Sequence, residues 1–321
     1  MPAALLKLAT LLVQALAWLG RQGTRALAIL VFIGIAVPPL GTMLKPYVTA
    51  AIFVLLCISF MRVDPAALRN HLRQPAVLLA ATAWTAIGVP LLIGVLALAF
   101  GIDKQAPDLF LGLMLQAVAS PIMAAPAFAA LMGLDATLVL LTLVTSTALL
   151  PLTAPAFAYL FFGAELMLSP FALGLKLFVI LAGALLAAIA IRRIAGPDAI
   201  KRQREPIDGV NILLMQVFVS AVMATLASDF FAHPLLVGAI LLLAFAMFFA
   251  MLGLTMLIFR KLGRQRALAL ALAVAQRNMG LMLAATAGVL PAAAWLYFAL
   301  CQFPMYIMPH LLRPWARAKA A

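Results

Sequence analysis

The stretch LAVAQRNMGLMLAATAG, residues 272–288, is apolar almost throughout, but three consecutive polar residues lie near its centre, Gln276, Arg277 and Asn278. Arginine stays positively charged in proteins, and placing that charge at mid-membrane costs roughly 2.5 to 3.5 kcal/mol on insertion scales. Arg277 therefore predicts a water-filled cavity or a polar partner inside the membrane.

The composition is that of a polytopic membrane protein. Of the 321 residues, 67% are hydrophobic and 10% are charged, and the mean hydropathy is +1.19. The net charge of +13 lies in short segments between apolar runs, so nucleic-acid binding is not expected. The three histidines are scattered (His71, His233 and His310), which predicts no metal site, no cofactor and no enzymatic activity.

Apolar runs separated by charged or Pro/Gly-marked breaks predict ten transmembrane helices. The predicted spans are 26–44, 46–62, 75–101, 107–133, 136–162, 169–191, 209–228, 234–259, 265–290 and 291–309. The chain then divides into an N-terminal interfacial segment (1–25), a first five-helix repeat (26–162), a segment with the sixth span and a long cytoplasmic loop (163–208), the remainder of the second repeat (209–310) and a basic cytoplasmic tail (311–321).

The basic residues predict the orientation of these spans. With the N-terminus in the cytoplasm, eighteen of the 22 basic residues lie on the cytoplasmic side, and only Lys45 and Lys104 lie on the opposite side. Such a bias is typical of cytoplasmic loops. We therefore expect a multi-pass protein of the cell (inner) membrane with both termini in the cytoplasm.

Two sets of five spans enter the membrane from opposite sides, which is the condition for inverted repeats. The fourth span is interrupted by Ser120, Pro121 and Pro126, and its counterpart, the ninth, is interrupted at 276–280. Proline removes a backbone donor and frees carbonyl groups that need new partners. The sequence thus predicts that the fourth and ninth helices are broken and cross each other, as at the binding sites of many transporters.

Arg277 has no predicted counter-charge within the membrane. All nine acidic residues fall in loops or at span ends: Asp64, Asp103, Asp108, Asp135, Glu165, Asp198, Glu205, Asp208 and Asp229. A guanidinium binds carboxylate or phosphate groups with two parallel hydrogen bonds, so one interpretation is an organic-anion site. The alternative is that Arg277 donates to freed carbonyls of the fourth span and holds the crossing together.

Four motifs, taken in order and spacing, resemble the bile acid/sodium symporter family. They are IFVLLCISFMRVDPAALRNHLRQPAVLL (52–79), ASPIMAAPAFAALMGLD (119–135), TSTALLPLTAPAFAYLF (145–161) and QRNMGLMLA (276–284). The resemblance covers roughly residues 26–310. It implies ten spans in two inverted repeats, two broken helices that cross, two sodium ions behind the crossing and an organic anion in the cavity.

The chain departs from that family at the positions implied to bind sodium. Where that family has an acidic ligand in the ninth span, this chain has Ala273, and where the family has the Gln of a Gln-Asn pair, this chain has Arg277. The family's Asn of the fourth span aligns with Pro126, and its Gln of the third span aligns with Thr85. Its other oxygen ligands align with Ala125, Val139 and Leu143. Sodium is a hard cation that needs several oxygen ligands and is repelled by a nearby guanidinium. We therefore expect the ordinary sodium sites to be lost, with Arg277 replacing their charge.

These observations predict a secondary transporter of a small or amphipathic organic anion that works by alternating access without sodium. Its predicted partners are the small anion and the lipid bilayer. An arsenite-type permease is an alternative, although that fold relative would be expected to have a cysteine in the fourth span, which has none. A second alternative is a membrane receptor or assembly subunit that kept the fold but does not transport.

Overall fold

The computed structural model describes residues 2–22, 24–62, 75–162, 169–286 and 290–317. These residues form helices joined by turns. The principal helices are α1 (Pro2–Gln22), α2 (Thr24–Ala36), α3 (Pro38–Met61), α4 (Pro75–Ala99), α5 (Pro107–Val118), α6 (Ala125–Leu131), α7 (Ala136–Phe162), α8 (Pro170–Ala195), α9 (Arg204–Ala232), α10 (Pro234–Ile258), α11 (Arg264–Ala275), α12 (Met279–Ala285) and α13 (Ala292–Arg317).

Six of the described helices are long and apolar enough to cross a membrane: α3, α4, α7, α8, α9 and α10. They agree with the prediction of an all-α membrane protein. The other predicted spans fall on α2, on the interrupted pairs α5 with α6 and α11 with α12, and on α13. Helix α13 extends to Arg317, so the first part of the predicted basic tail is helical.

The predicted boundary between the first two spans is wrong. Helix α2 ends at Ala36, and Pro38 and Pro39 occupy the first two positions of α3, which continues through a 3-10 turn at Lys45–Tyr47 to Met61. Proline cannot continue a helix from the preceding turn but is well tolerated in a first turn, where no N–H is needed. The proline pair therefore starts a helix, and Lys45 lies inside α3 instead of in a loop.

The chain divides into two compact units, and the first comprises Met1–Val63 with Leu181–Ser228. In this unit, ion pairs join charged residues at the ends of different helices. Arg21 pairs with Glu205 at 2.8 Å, and Arg62 pairs with Asp208 at 2.7 Å. Arg192 Nη1 donates to the carbonyl of Met61 at 3.3 Å. The basic ends of α1, α3, α8 and α9 therefore lie together.

Helix α1 packs along α9 in the antiparallel direction. A Cβ atom on Gly20 would overlap the carbonyl oxygen of Glu205, and one on Gly209 would overlap that of Leu16. Only glycine allows such close backbone approach, as is common between membrane helices. Helix α1 therefore runs alongside α9, a helix long and apolar enough to cross a membrane, and the interfacial placement of residues 1–25 stays a prediction.

The second unit comprises Asp64–Ile180 with Asp229–Ala321. Part of its core is a cluster of buried apolar residues from four segments, Ala81, Leu138, Phe259, Ala267 and Leu270. Both interrupted pairs, α5 with α6 and α11 with α12, belong to this unit. The residues of the predicted crossing are therefore carried by one compact body.

Candidate functional site

Two helix interruptions define the candidate site. Helix α5 ends at Val118 and α6 begins at Ala125, while α11 ends at Ala275 and α12 begins at Met279. The Asn278 side chain caps α12 by accepting a hydrogen bond from the Leu281 N–H at 3.1 Å. An Asn at this position satisfies one of the donors that a helix start leaves free.

The two interruptions meet as a short antiparallel β-bridge between Pro121 and Arg277. The Ile122 N–H donates to the Gln276 carbonyl at 2.7 Å, and the Asn278 N–H donates to the Ser120 carbonyl at 2.7 Å. Each extended segment thus donates one N–H and offers one carbonyl to the other, which satisfies backbone groups that have no water to bond to in an apolar interior. We call residues 119–124 and 276–278 the crossover.

Arg277 is fully buried at the crossover, with 0% of its surface exposed. Its Nη1 atom donates to the Ala119 carbonyl at 2.7 Å and to the Thr85 carbonyl at 3.2 Å. Its Nε and Nη2 atoms have no hydrogen-bond partner among the residues that the structure describes. None of the carboxylates in the described ranges forms an ion pair with it.

The Thr85 carbonyl is available to Arg277 because α4 contains a π-helical turn at Trp84–Gly88. In this turn the Val89 N–H bonds to the Trp84 carbonyl, so it does not bond to that of Thr85. The next donor along the chain would be residue 90, which is proline and has no N–H. The π turn and Pro90 together leave the Thr85 carbonyl without a helical donor, and Arg277 supplies one.

Thr85 was predicted as a site residue, and the structure brings it to the crossover through its main chain. Its hydroxyl donates within α4 to the Ala81 carbonyl at 2.7 Å. The sequence predicted freed carbonyls of the fourth span as one set of partners for Arg277, and the Ala119 carbonyl is one of them. It did not single out Ala119, because that residue contributes only a carbonyl and has no side-chain signal. The role of Pro90 was not predicted, although a proline inside a predicted span is visible in the sequence.

The remaining predicted residues divide between the crossover and its surroundings. Gln276 donates from Nε2 to the Met305 carbonyl at 3.0 Å, while its Oε1 has no partner in the described ranges. The Ser120 hydroxyl likewise has no hydrogen-bond partner in the described ranges. Pro126 occupies the second position of α6 and takes no part in the bridge. The crossover therefore carries four fully buried side-chain atoms without described partners: Ser120 Oγ, Gln276 Oε1, Arg277 Nε and Arg277 Nη2.

The positions at which the family resemblance implies sodium ligands do not fit that ion. Ala273, Ala125, Val139 and Leu143 are all buried, and none has a side-chain oxygen. A hard cation is bound by several oxygen atoms, often including a carboxylate. These side chains cannot supply them.

No protein-family model matches the chain, and no curated protein matches it.

Proposed function

We propose that this protein is a membrane carrier of small organic anions, and that the Nε and Nη2 atoms of Arg277 bind the carboxylate of the substrate. One observation carries the proposal: Arg277 is completely buried, yet these two donors have no described partner. A buried donor without a partner costs about 1 to 3 kcal/mol, and more when it is charged. A ligand with two acceptor oxygens would remove that cost.

The orientation of the guanidinium supports a carboxylate as the ligand. Nη1 is occupied by the carbonyls of Ala119 and Thr85. Since the guanidinium is planar, fixing Nη1 also fixes the direction of the edge formed by Nε and Nη2. That edge has two parallel donors that match the two oxygens of a carboxylate. The interpretation of Arg277 as a structural tie and the interpretation as an anion ligand are therefore compatible, since they use different atoms.

The same charge accounts for transport without sodium in this proposal. The four positions Ala273, Ala125, Val139 and Leu143 lack the oxygen atoms that a sodium site needs. A fixed cation at the crossover would supply the positive potential that bound sodium supplies in the bile acid/sodium symporter family, which the sequence resembles. The substrate would then neutralise a charge that belongs to the protein.

The architecture proposed for this carrier is ten spans in two inverted five-helix repeats. The two interruptions hold the fourth place in each half of the chain, which supports such a repeat. Each compact unit combines segments from both halves of the chain, with the crossover in the second unit. The mechanism proposed for this carrier is alternating access. The carrier would lie in the cell membrane with its C-terminus in the cytoplasm.

Helix α1 changes the expected location of the N-terminus in this proposal. Since α1 runs antiparallel to α9, its first residues point away from the end where Arg21 meets Glu205. We propose that α1 crosses the membrane as an additional span in front of the two five-helix repeats, and that the N-terminus lies outside, in place of the cytoplasmic location expected from the charges. An N-terminal tag that protease removes from intact spheroplasts supports this, and a tag protected until lysis contradicts it.

Ligand-dependent thermal stabilisation of the purified protein tests the anion site. The probes are monocarboxylates and sulfonates, each compared with its neutral amide. A ligand at about 100 times its Kd stabilises the folded state by about 2.7 kcal/mol. We expect carboxylates to raise Tm and their amides to have no effect.

Substitutions of Arg277 separate binding at this site from binding elsewhere. Arg277→Lys keeps the charge but loses the two-donor edge, so the response to carboxylates should disappear. Arg62→Lys, at an exposed ion pair, is the control and should respond like the wild type. An equal response in Arg277→Lys would overturn the proposed site. If no anion stabilises the wild type, a receptor or assembly subunit is favoured.

A further inference from the structure

A cavity of about 430 Å³ lies in the second unit, lined by α5, α7, the start of α8 and the residues Thr286, Leu290 and Pro291. Its walls are mainly apolar and include four aromatic rings, Phe110, Phe157, Phe161 and Phe162. Phe110 and Phe161 pack edge to face with centroids 6.3 Å apart. A volume between about 300 and 1,000 Å³ is typical of sites for small ligands.

One stripe of α5 lines the cavity over three turns, from Pro107 through Leu111 and Met114 to Val118. At 1.5 Å per residue this stripe is about 16 Å long. A mainly apolar wall of this length suits an extended aliphatic chain.

Charged residues lie at one end of the cavity, beside the start of α5. Asp103, Lys104 and Asp108 all line it there. None of the three forms an ion pair with another residue in the described ranges. A fatty acid would meet two carboxylates at this mouth, and an alkylammonium would leave Lys104 unmatched. A head group that carries both a phosphate and an amine places a negative charge at Lys104 and a positive charge at the two carboxylates.

We propose that this cavity binds one acyl chain of a zwitterionic phospholipid, with the phosphate at Lys104 and the amine at Asp103 and Asp108. The chain would come either from a bilayer lipid or from a free lysophospholipid, since both carry the same head and chain. This site is separate from the crossover, because no crossover residue lines the cavity. The inference does not depend on the proposed anion transport.

Native mass spectrometry with palmitoyl lysophosphatidylcholine tests the proposal on the delipidated full-length protein. We expect one bound lysolipid per chain, with weaker binding of palmitate and of cetyltrimethylammonium. Equal binding of all three amphiphiles would show that the charged end of the cavity does not select the head group, which would contradict the proposal.

A matched pair of variants on α7 tests the location. Ala158 lines the cavity, whereas Ala156 is exposed on the same helix. Ala158→Trp should weaken lysolipid binding about tenfold, the effect of excluding roughly two methylene groups from an apolar site. Ala156→Trp should bind as the wild type does. Equal affinities in the two variants would contradict the assigned cavity.

A double variant at the charged end of the cavity leaves the apolar wall intact, so it tests the proposal even if Ala158→Trp fails to fold. Asp103→Asn with Asp108→Asn removes both carboxylates, so palmitate should bind more tightly than lysophosphatidylcholine. An unchanged order of affinities would overturn the head-group assignment.

The two sources of the chain are distinguished in nanodiscs. A photoreactive group at the end of one acyl chain of a diacyl phosphatidylethanolamine should cross-link near Met114 or Phe157 if a bilayer lipid occupies the cavity. Cross-linking by the corresponding lysolipid alone would assign the site to a free lysophospholipid. Labelling by neither lipid at these positions would contradict the proposal.

Discussion

Arg21 and Arg62 of the first unit and Arg277 of the second unit are satisfied in opposite ways. Arg21 pairs with Glu205 where each side chain is 54% exposed, and Arg62 pairs with Asp208. Arg277 is fully buried, meets no described carboxylate and uses one of its three nitrogens to bind two carbonyls. Exposed ion pairs contribute little to stability, because water solvates their charges almost as well. A buried guanidinium with unused donors has a cost that only a ligand or water can offset, so it is the arginine that indicates function.

The largest difference between the two regions should be in substrate binding. Arg277→Gln should lower carboxylate affinity at least about a hundredfold, since losing a charged two-donor contact costs roughly 3 kcal/mol. Arg62→Gln should leave that affinity unchanged. Titration of each purified variant by isothermal calorimetry measures both. Equal losses of carboxylate affinity in Arg277→Gln and Arg62→Gln would show that the burial of Arg277 does not identify a binding site.

A substitution in helix α4 should have a smaller effect on carboxylate affinity than the loss of Arg277. Pro90→Ala introduces an N–H that can bond to the Thr85 carbonyl, so the carbonyl would be less available to Arg277. We expect carboxylate affinity to fall about three- to tenfold, corresponding to one hydrogen bond of about 1 kcal/mol. Pro151→Ala, which also removes a proline inside a helix of the second unit, is the control. A fall of the same size in the control would show a general effect of helix straightening.

The cap of α12 should affect stability more than binding. Asn278→Ala removes the acceptor for the Leu281 N–H and should lower the unfolding free energy by about 1 kcal/mol. Asn278→Asp keeps an acceptor and should recover most of the loss. Thermal unfolding of the ligand-free protein measures the effect. An alanine variant as stable as the wild type would indicate that the crossover bonds alone fix the start of α12.

The smallest effect is expected at the exposed ion pairs. Arg21→Gln should change the unfolding free energy by less than about 1 kcal/mol, and the change should shrink further at high salt. Unfolding at low and high ionic strength gives both values. A large, salt-independent loss would show that Arg21 does more than pair with Glu205.

The local signals in the sequence were enough to predict the crossover. Proline at 121 and the polar residues 276–278 interrupt apolar runs, and a membrane interior tolerates such interruptions only where other protein groups satisfy the freed backbone. The bridge between Pro121 and Arg277 joins the two predicted breaks. Composition and apolar periodicity likewise predicted an all-helical membrane chain.

The sequence predicted that Arg277 could donate to freed carbonyls of the fourth span, but it could not say which carbonyls, because that choice depends on backbone register. The Ala119 carbonyl has no side-chain signature, and the Thr85 carbonyl is released by a π turn whose existence depends on tertiary packing. In that turn Trp84 Nε1 donates to Thr255 of α10 at 3.0 Å, and a Cβ atom on Gly88 would overlap the Trp84 ring. The end of the first span was missed for a local reason, since two consecutive prolines favour a helix start over a kink.

Uptake of a stabilising carboxylate into proteoliposomes, measured in sodium and in choline buffer, tests the central claim most directly. We predict that wild-type uptake is the same in both buffers and that Arg277→Lys abolishes it in both. Uptake that requires sodium, or that persists unchanged in Arg277→Lys, would contradict the assignment of the fixed guanidinium as both the substrate's ligand and the replacement for sodium.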